Sequence, residues 1–166
     1  MEQAPKPEKL ELSPDKEELL RLEQTGEYVF HGTGADLDEL HPQQAIDIEK
    51  GPDGSPAVFA SSKADYAIFM AIVHKKNAPE GTHSKAGATS FDDGSIRMKF
   101  GATQKTLDQL QESASGWVYV FDAKDFAPRP DHGARGVEYV SYKTVQPVQK
   151  ILVHKADLPE EISVIE

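Results

Sequence analysis

The stretch Trp117-Val118-Tyr119-Val120-Phe121, residues 117–121, is the strongest strand sequence in the chain. All five residues are aromatic or β-branched, the types that favour strands. On its C-terminal side, residues 137–142 and 148–153 predict two more strands. On its N-terminal side, polar and apolar residues alternate at 96–100, as in a half-buried strand. The predicted strands are therefore concentrated after residue 95.

The N-terminal half of the chain begins with a predicted helix. Ser13 is typical of an N-cap, Pro14 of the first helical position, and Thr25-Gly26 of a helix end. The short apolar run at 28–30 then predicts a strand that stops at His31-Gly32.

A second strand and a second helix follow further along this half. Residues 57–60 predict the strand, and Ser61 or Ser62 is expected to cap a helix that continues to about Val73. Apolar residues recur at helical spacing within this segment, so one face of the helix is expected to pack against the core.

The segments between these elements are mostly polar. The stretch 34–54 is rich in turn residues and contains one short packed element at 45–48, whereas 77–94 reads as an exposed excursion. A short helix is predicted at 104–112 and a loop at 125–136. Helices come early and strands late, without regular β-α-β alternation, so the predicted fold class is α+β.

Length and composition fit one domain. The chain has 166 residues, of which 38% are hydrophobic and 28% charged, and single domains commonly contain about 100–200 residues. We expect a flexible N-terminal tail at 1–12 and a single domain at 13–166. No apolar run approaches the roughly 20 residues of a membrane-spanning helix, so no membrane partner is expected.

Charge and cysteine content exclude several kinds of site. Cysteine is absent, which excludes disulfides, thiol nucleophiles and zinc–thiolate sites. This is compatible with the cytoplasm, the location we predict, and also with a secreted effector. The net charge of −10 argues against a strong nucleic-acid-binding patch. The histidines lack metal-ligand spacing, so no metal site is predicted.

Three segments are candidates for chemistry. They are Val29-Phe30-His31-Gly32-Thr33, residues 57–69, and Val137-Glu138-Tyr139-Val140-Ser141-Tyr142. Each segment is weak evidence by itself, because a His-Gly-Thr triplet at a strand end is usually a turn with a capping histidine. The three segments point to a function only when their residues and their order along the chain are considered together.

This combination resembles the ADP-ribosyltransferase superfamily, in its diphtheria-toxin-like and poly(ADP-ribose) polymerase branch with a His…Tyr…Glu pattern. It is also similar to the small bacterial rifamycin ADP-ribosyltransferases, whose chains begin near an apolar-His-Gly-Thr strand. The likeness covers roughly residues 28–153. It implies a split β-sandwich of antiparallel sheets with a few short helices, and NAD as the substrate.

The resemblance implies a role for each matching residue. His31 would hold the hydroxyls of the adenosine ribose, and the Gly32 backbone would pair with the nicotinamide carboxamide. Thr33 belongs to the same nucleotide-binding turn. Glycine suits close approach of the backbone to a ligand because it has no side chain. Glu138 would bind the 2′-hydroxyl of the nicotinamide ribose and stabilise positive charge as the C–N bond breaks.

The position of Glu138 supports this role on physical grounds. Side chains alternate along a strand, so Glu138 faces the same side as Val140, which is expected to face inward. Burying an unpaired carboxylate is unfavourable, so a glutamate at an inward position needs a reason. A carboxylate beside an oxocarbenium-like ribose lowers the barrier to glycosidic cleavage electrostatically.

The central segment departs from the family pattern. The family has two aromatic residues eleven positions apart around nicotinamide, and here Val58 occupies the first position and Phe69 the second. Either Phe59 has shifted into the site or that wall is aliphatic. The stacking face would come from Phe69 by register or from Tyr66 by residue type.

Two serines and the loop before Glu138 complete the predicted site. A hydroxyl of Ser61 or Ser62 would bind the carboxamide, although N-capping explains these serines equally well. The loop carries Arg129, Asp131, His132 and Arg135. Its arginines are suited to gripping a phosphate or carboxylate, although solvated loop charges are the commoner explanation for such residues.

The loop also bears on the acceptor. Arginine-modifying toxins have a second acidic residue two positions before the catalytic glutamate, where this chain has Gly136. Arginine is therefore not expected to be the acceptor. The acceptor stays open between a small molecule, a protein carboxylate or hydroxyl, and a nucleic-acid end.

The sequence thus predicts an NAD-dependent mono-ADP-ribosyltransferase that cleaves the nicotinamide–ribose bond and passes ADP-ribose to an unidentified acceptor. Three alternatives share the fold: an RNA 2′-phosphotransferase, an NAD glycohydrolase, and a catalytically inactive module that binds NAD or ADP-ribose.

Overall fold

A computed structural model describes residues 13–47, 51–129 and 137–166. The predicted tail at 1–12 lies outside the described residues, as do Ile48 and the loop residues Asp131, His132, Arg135 and Gly136. Within the described ranges, no helix is long and apolar enough to cross a membrane.

The described residues form two β-sheets and three short helices, an α+β arrangement that confirms the predicted fold class. In chain order its elements are α1 (Pro14–Thr25), β1 (Tyr28–Thr33), β2 (Gln43–Asp47), β3 (Gly51–Ser61), α2 (Ala64–Ile72), β4 (Ser84–Ser90), β5 (Ile96–Thr103), α3 (Gln104–Gln109), β6 (Ser115–Asp122), β7 (Ala127–Pro128), β8 (Glu138–Ser141), β9 (Gln149–His154) and β10 (Ile162–Ile165). Short 3-10 turns follow β6 and β9.

The larger sheet is antiparallel and has the strand order β7-β8-β3-β1-β6-β9, with β2 also paired to β3. The predicted strand at 117–121 forms the middle of β6, between β1 and β9. Val118 and Val120 face one side of this sheet and Tyr119 and Phe121 the other, and all four are buried. Burial on both faces explains why β6 is almost entirely apolar.

The smaller sheet has the order β10-β5-β4 and corrects two predictions. Strand β10 runs parallel to β5, so the expectation of purely antiparallel sheets is wrong here. Strand β4 lies within the predicted exposed excursion at 77–94, and it pairs with β5 across a turn in which Gly94 has a φ of 85°. The small, polar residues of β4 have little strand preference of their own, so the pairing with β5 places them.

Helix α2 lies in the core between the two sheets. Ile68, Phe69 and Ile72 are fully buried in the same apolar cluster as Val118 and as Phe100 of β5. The opposite face of the larger sheet has its own apolar cluster, on which the segment after β1 and the turn after β8 pack. Both faces of the larger sheet are therefore covered.

Two glycines allow α2 to lie directly on the larger sheet. A Cβ atom at Gly32 would be 1.8 Å from the Ala67 carbonyl oxygen, and one at Gly116 would be 1.9 Å from the Ala71 carbonyl oxygen. Any side chain at either position would push the helix away from β1 or β6.

The two long helices begin differently. Helix α1 confirms the prediction, because the Ser13 side chain accepts the Lys16 N–H and Gly26 ends the helix at a φ of 72°. The prediction that Ser61 or Ser62 caps α2 is wrong: its N-cap is Lys63, which makes no side-chain capping bond. The first N–H of α2, on Ala64, donates instead to Glu23 Oε1 at 2.6 Å.

Candidate functional site

Six of the predicted site residues line one small cavity at the end of β1, between β3, β8 and the first turns of α2. They are His31, Gly32, Phe59, Ser61, Tyr66 and Glu138. The cavity measures about 130 Å³, well below the roughly 300–1,000 Å³ that a drug-sized ligand occupies. It therefore has room for one ring, and the rest of a larger ligand would lie outside it. We call it the Glu138 cavity.

Strand register brings the three predicted segments together. Phe30 of β1 pairs with Ser61 of β3, and Ser61 pairs in turn with Glu138 of β8. Residues paired across a sheet point to the same face, so these side chains meet on the face that α2 covers. The predicted inward orientation of Glu138 is confirmed, since Glu138 and Val140 share this face and Val140 is buried.

The structure separates the two explanations for Val58. Val58 is buried in the apolar cluster on the opposite face of the sheet, whereas its neighbour Phe59 lines the cavity. An aromatic residue thus reaches this wall through Phe59, one position after Val58.

Of the two residues predicted for the stacking face, Tyr66 lines the cavity and Phe69 does not. Phe69 has no exposed surface, and its ring centroid packs 4.9 Å from that of Phe100 in the core. It does not line the cavity, so a stacking role for Phe69 does not fit its position. Tyr66, one turn earlier on α2, does line the cavity.

Tyr66 and Arg129 are neighbours of the Glu138 carboxylate among the described residues. The Tyr66 hydroxyl donates to Oε1 over 3.5 Å, and the Arg129 guanidinium lies 3.2 Å from Oε2. The Glu138 side chain is 24% exposed and that of Arg129 16%, so the ion pair is largely shielded from water. Desolvation and, to a smaller extent, the negative charge of Glu138 raise the pKa of Tyr66. Tyr66 therefore keeps its proton and acts as a donor.

The sequence left Arg129 open between gripping a phosphate or carboxylate and being a solvated loop charge, and its side chain lines the cavity. Its backbone N–H donates to the Glu138 carbonyl oxygen at 2.9 Å, next to the β7–β8 pairing. Its guanidinium lies 4.9 Å from the centroid of the Phe59 ring. A cation within about 6 Å of an aromatic face is attracted to it, so Arg129 is held by Phe59 and Glu138 together.

A hydrogen bond fixes the tautomer of His31. Its Nδ1 lies 2.5 Å from the Phe59 carbonyl oxygen, and because a carbonyl can only accept, Nδ1 carries the proton. Desolvation lowers the pKa of His31, and the bond to Phe59 offsets this only in part. The neutral ring therefore presents Nε2 as an acceptor, which suits a hydroxyl donor.

The backbone of β1 borders the cavity because its pairing with β3 is limited to Phe30 with Ser61. Beyond Phe30, the edge of β1 at Gly32 faces the cavity instead of a strand. Gly32 is nevertheless required by packing alone, since α2 leaves no room for a side chain there. The presence of glycine at position 32 is therefore no evidence for a ligand, whereas the open edge of β1 at this residue is compatible with one.

Thr33, Ser62 and Ser61 make hydrogen bonds within the protein. Thr33 Oγ1 accepts the Ala35 N–H at 3.3 Å, and the Ser62 N–H donates to the Val137 carbonyl oxygen at 3.0 Å. Ser61 Oγ accepts the Lys63 N–H at 3.0 Å, although Ser61 itself lines the cavity.

A larger and more open cleft, of about 960 Å³, lies between the turn after α2 and helix α3. Its lining is polar, with Asn77, Lys105 and Gln109 among its residues. Within the described parts of the chain, no three His, Asp or Glu side chains are grouped to hold a metal ion. The convergence of residues makes the Glu138 cavity the candidate site.

Comparisons with protein-family models, curated proteins and solved structures find no match to this chain.

Proposed function

We propose that this protein is an NAD-dependent mono-ADP-ribosyltransferase of the ADP-ribosyltransferase-like split β-sandwich type, and that the Glu138 cavity takes the nicotinamide ring of NAD. The observation that carries the proposal is the convergence of Gly32, Phe59, Tyr66 and Glu138, from four separate elements, on a space for one ring. Aromatic side chains bind a flat heteroaromatic ring by stacking, and the open edge of β1 supplies backbone groups for a carboxamide.

The proposed reaction uses Glu138 for charge stabilisation. As the bond between ribose C1′ and the nicotinamide nitrogen breaks, its electron pair leaves with nicotinamide, and positive charge develops on the ribose. The Glu138 carboxylate, bound to the ribose 2′-hydroxyl, stabilises this charge. A nucleophilic acceptor then forms the new bond at C1′ and loses its proton. NAD is consumed as a substrate.

His31 and Tyr66 would position the substrate. Neutral His31 offers Nε2 to a ribose hydroxyl, since its Nδ1–H is engaged by the Phe59 carbonyl oxygen. Tyr66 has its hydroxyl 3.5 Å from Glu138 Oε1, so one residue provides both a stacking ring and a long, weak hydrogen bond to the carboxylate. The acceptor stays open between a small molecule, a protein carboxylate or hydroxyl, and a nucleic-acid end.

Release of nicotinamide from NAD tests the proposal. We expect Glu138→Gln to abolish release while the Kd for NAD stays within about tenfold, because the charge acts mainly in the transition state. Glu112→Gln is the matched control, since the Glu112 side chain is 93% exposed, and it should keep full activity.

The other outcomes are distinct. Equal turnover by the Glu138 variant and the parent protein contradicts the mechanism. Release without transfer to any macromolecule or small acceptor identifies an NAD glycohydrolase. NAD binding without release by the parent protein identifies an inactive binding module.

A further inference from the structure

The position of Arg129 has a consequence for what the Glu138 cavity binds. Its guanidinium is a flat cation that lies 4.9 Å from the Phe59 ring and 3.2 Å from Glu138 Oε2. An aromatic face next to a carboxylate is a favourable environment for a planar cation. The Arg129 guanidinium therefore occupies the position beside Phe59 and Glu138 that another planar cation would take.

We propose that Arg129 is an internal competitor for this site, whose guanidinium must leave Phe59 and Glu138 before a planar cationic ligand can bind. The proposal rests on the proposed function only in naming the physiological ligand. That ligand would be the positively charged pyridinium ring of oxidised NAD.

Electrostatics prevents the two cations from sharing the site. At an effective dielectric constant of about 20, the repulsion between two like charges about 5 Å apart lowers a binding constant by roughly two orders of magnitude. The ion pair with Arg129 also offsets the charge of Glu138 that the ligand would use. A neutral ring of the same shape meets no such repulsion. Arg129 therefore acts selectively against cations.

The exchange requires movement of a side chain rather than of the strands. The backbone of Arg129 is fixed by the hydrogen bond from its N–H to the Glu138 carbonyl oxygen. Its side chain has several rotatable bonds and is 16% exposed, so a change of rotamer can carry the guanidinium towards solvent. The affinity of the site for a cation is then reduced by the fraction of molecules in which Arg129 occupies it.

Arg129→Gln tests this role, because glutamine removes the positive charge and retains a polar side chain. The probe is 1-methylnicotinamide, a planar cation without the rest of the dinucleotide, and neutral nicotinamide is the comparison ligand. We expect the Kd for 1-methylnicotinamide to fall about tenfold in Arg129→Gln, if Arg129 occupies the site in about nine molecules of ten. The Kd for nicotinamide should change by less than about threefold.

A matched control exists on the β4–β5 hairpin. Arg97 also stacks on an aromatic ring, with its guanidinium 5.3 Å from the centroid of Phe91, but it does not line the Glu138 cavity. Arg97→Gln should leave both dissociation constants unchanged. Circular dichroism and the melting temperature of each variant establish that it is folded.

Several outcomes overturn the proposal. Weaker or unchanged binding of 1-methylnicotinamide by Arg129→Gln contradicts it, as does the absence of binding in both proteins. An equal gain for the cation and for neutral nicotinamide identifies a purely steric effect and contradicts it too. Nicotinamide release measured in parallel keeps the two proposals distinct. Tighter cation binding without cleavage of NAD by any variant refutes only the proposed function, whereas cleavage of NAD together with weaker cation binding by Arg129→Gln refutes only this inference.

Discussion

At the scale of single residues, Tyr66 performs two tasks that substitution can separate. Its ring lines the cavity, and its hydroxyl donates to Glu138 over a long distance of 3.5 Å. Because a bond of that length contributes little, loss of the hydroxyl should matter less for ring binding than loss of the ring.

We expect Tyr66→Phe to keep the Kd for nicotinamide within about threefold and Tyr66→Ala to raise it about tenfold, since a stacked aromatic pair contributes about 0.5–1.5 kcal/mol beyond its buried area. Titration calorimetry measures both values. Tyr142→Ala is the control, because Tyr142 is 57% exposed and does not line the cavity. An unchanged Kd in Tyr66→Ala would show that the ring of Tyr66 is not a binding surface.

His31 gives the protein a pH dependence of known sign. Burial lowers its pKa in the folded state, so the unfolded chain takes up a proton first as the pH falls below the ordinary histidine value of about 6.5. Stability is therefore highest above that pH and decreases below it, by at most about 1.4 kcal/mol per pH unit for one group. His74 adds to the decrease, since desolvation lowers its pKa as well.

The measurement is urea unfolding between pH 7.5 and pH 5. We expect His31→Asn to flatten the decrease in the free energy of unfolding, because asparagine does not titrate and can still donate to the Phe59 carbonyl oxygen. Exposed His83 provides the control, and His83→Asn should follow the parent protein. The same slope in His31→Asn as in the parent would contradict the assignment of a neutral, buried His31.

The residue-scale predictions succeeded where a local rule applied. Strand alternation was enough to orient Glu138, and residue type favoured Tyr66, which lines the cavity whereas Phe69 does not. The choice between Val58 and Phe59 needed the face on which each side chain lies, which the sequence left open. The reach of Arg129 into the cavity depends on the β7–β8 pairing and on the ring of Phe59, both of them contacts that no local pattern reports.

At the scale of elements, the contact of α2 with β1 and β6 determines where Tyr66 and Glu138 meet. This contact depends on Gly32 and Gly116, because a Cβ at either position would collide with backbone atoms of α2. Backbone cannot rotate out of the way as a side chain can, so a methyl group there must displace the helix.

Gly32→Ala should lower the free energy of unfolding by about 3 kcal/mol or more, at the upper end of the usual cost of overpacking. Gly87→Ala is the matched control, since a Cβ there meets nothing within 4 Å and its φ is not positive. It should be neutral or slightly stabilising. Urea unfolding of both variants checks the difference, and equal stability would contradict the close packing of α2 on β1.

The prediction of elements failed where partners far along the chain decide the structure. Strand β4 was read as an exposed excursion because its residues are small and polar, and it forms by pairing with β5. Strand β10 was not predicted, and it adds to β5 from the far end of the chain. The acceptor for the first N–H of α2 also lies outside its own segment, on Glu23 of α1.

At the scale of the whole molecule, the larger sheet organises both the core and the candidate site. One face carries α2 and the smaller sheet, and the other carries a second apolar cluster. The α+β class was predictable from the order of helices and strands along the chain. The division into a larger antiparallel sheet and a smaller mixed sheet was not, because it depends on the nonlocal pairings of β4 and β10 with β5.

We propose that the Glu138 cavity, and not the larger cleft beside α3, binds the nicotinamide end of NAD. An NMR titration of the isotopically labelled protein with NAD tests it most directly. We expect saturable shifts of the Gly32 amide and of the Tyr66 and Glu138 side chains, which ADP-ribose, lacking nicotinamide, should not reproduce in full. Shifts that instead cluster at Asn77, Lys105 and Gln109, with Gly32, Tyr66 and Glu138 unchanged, would contradict it.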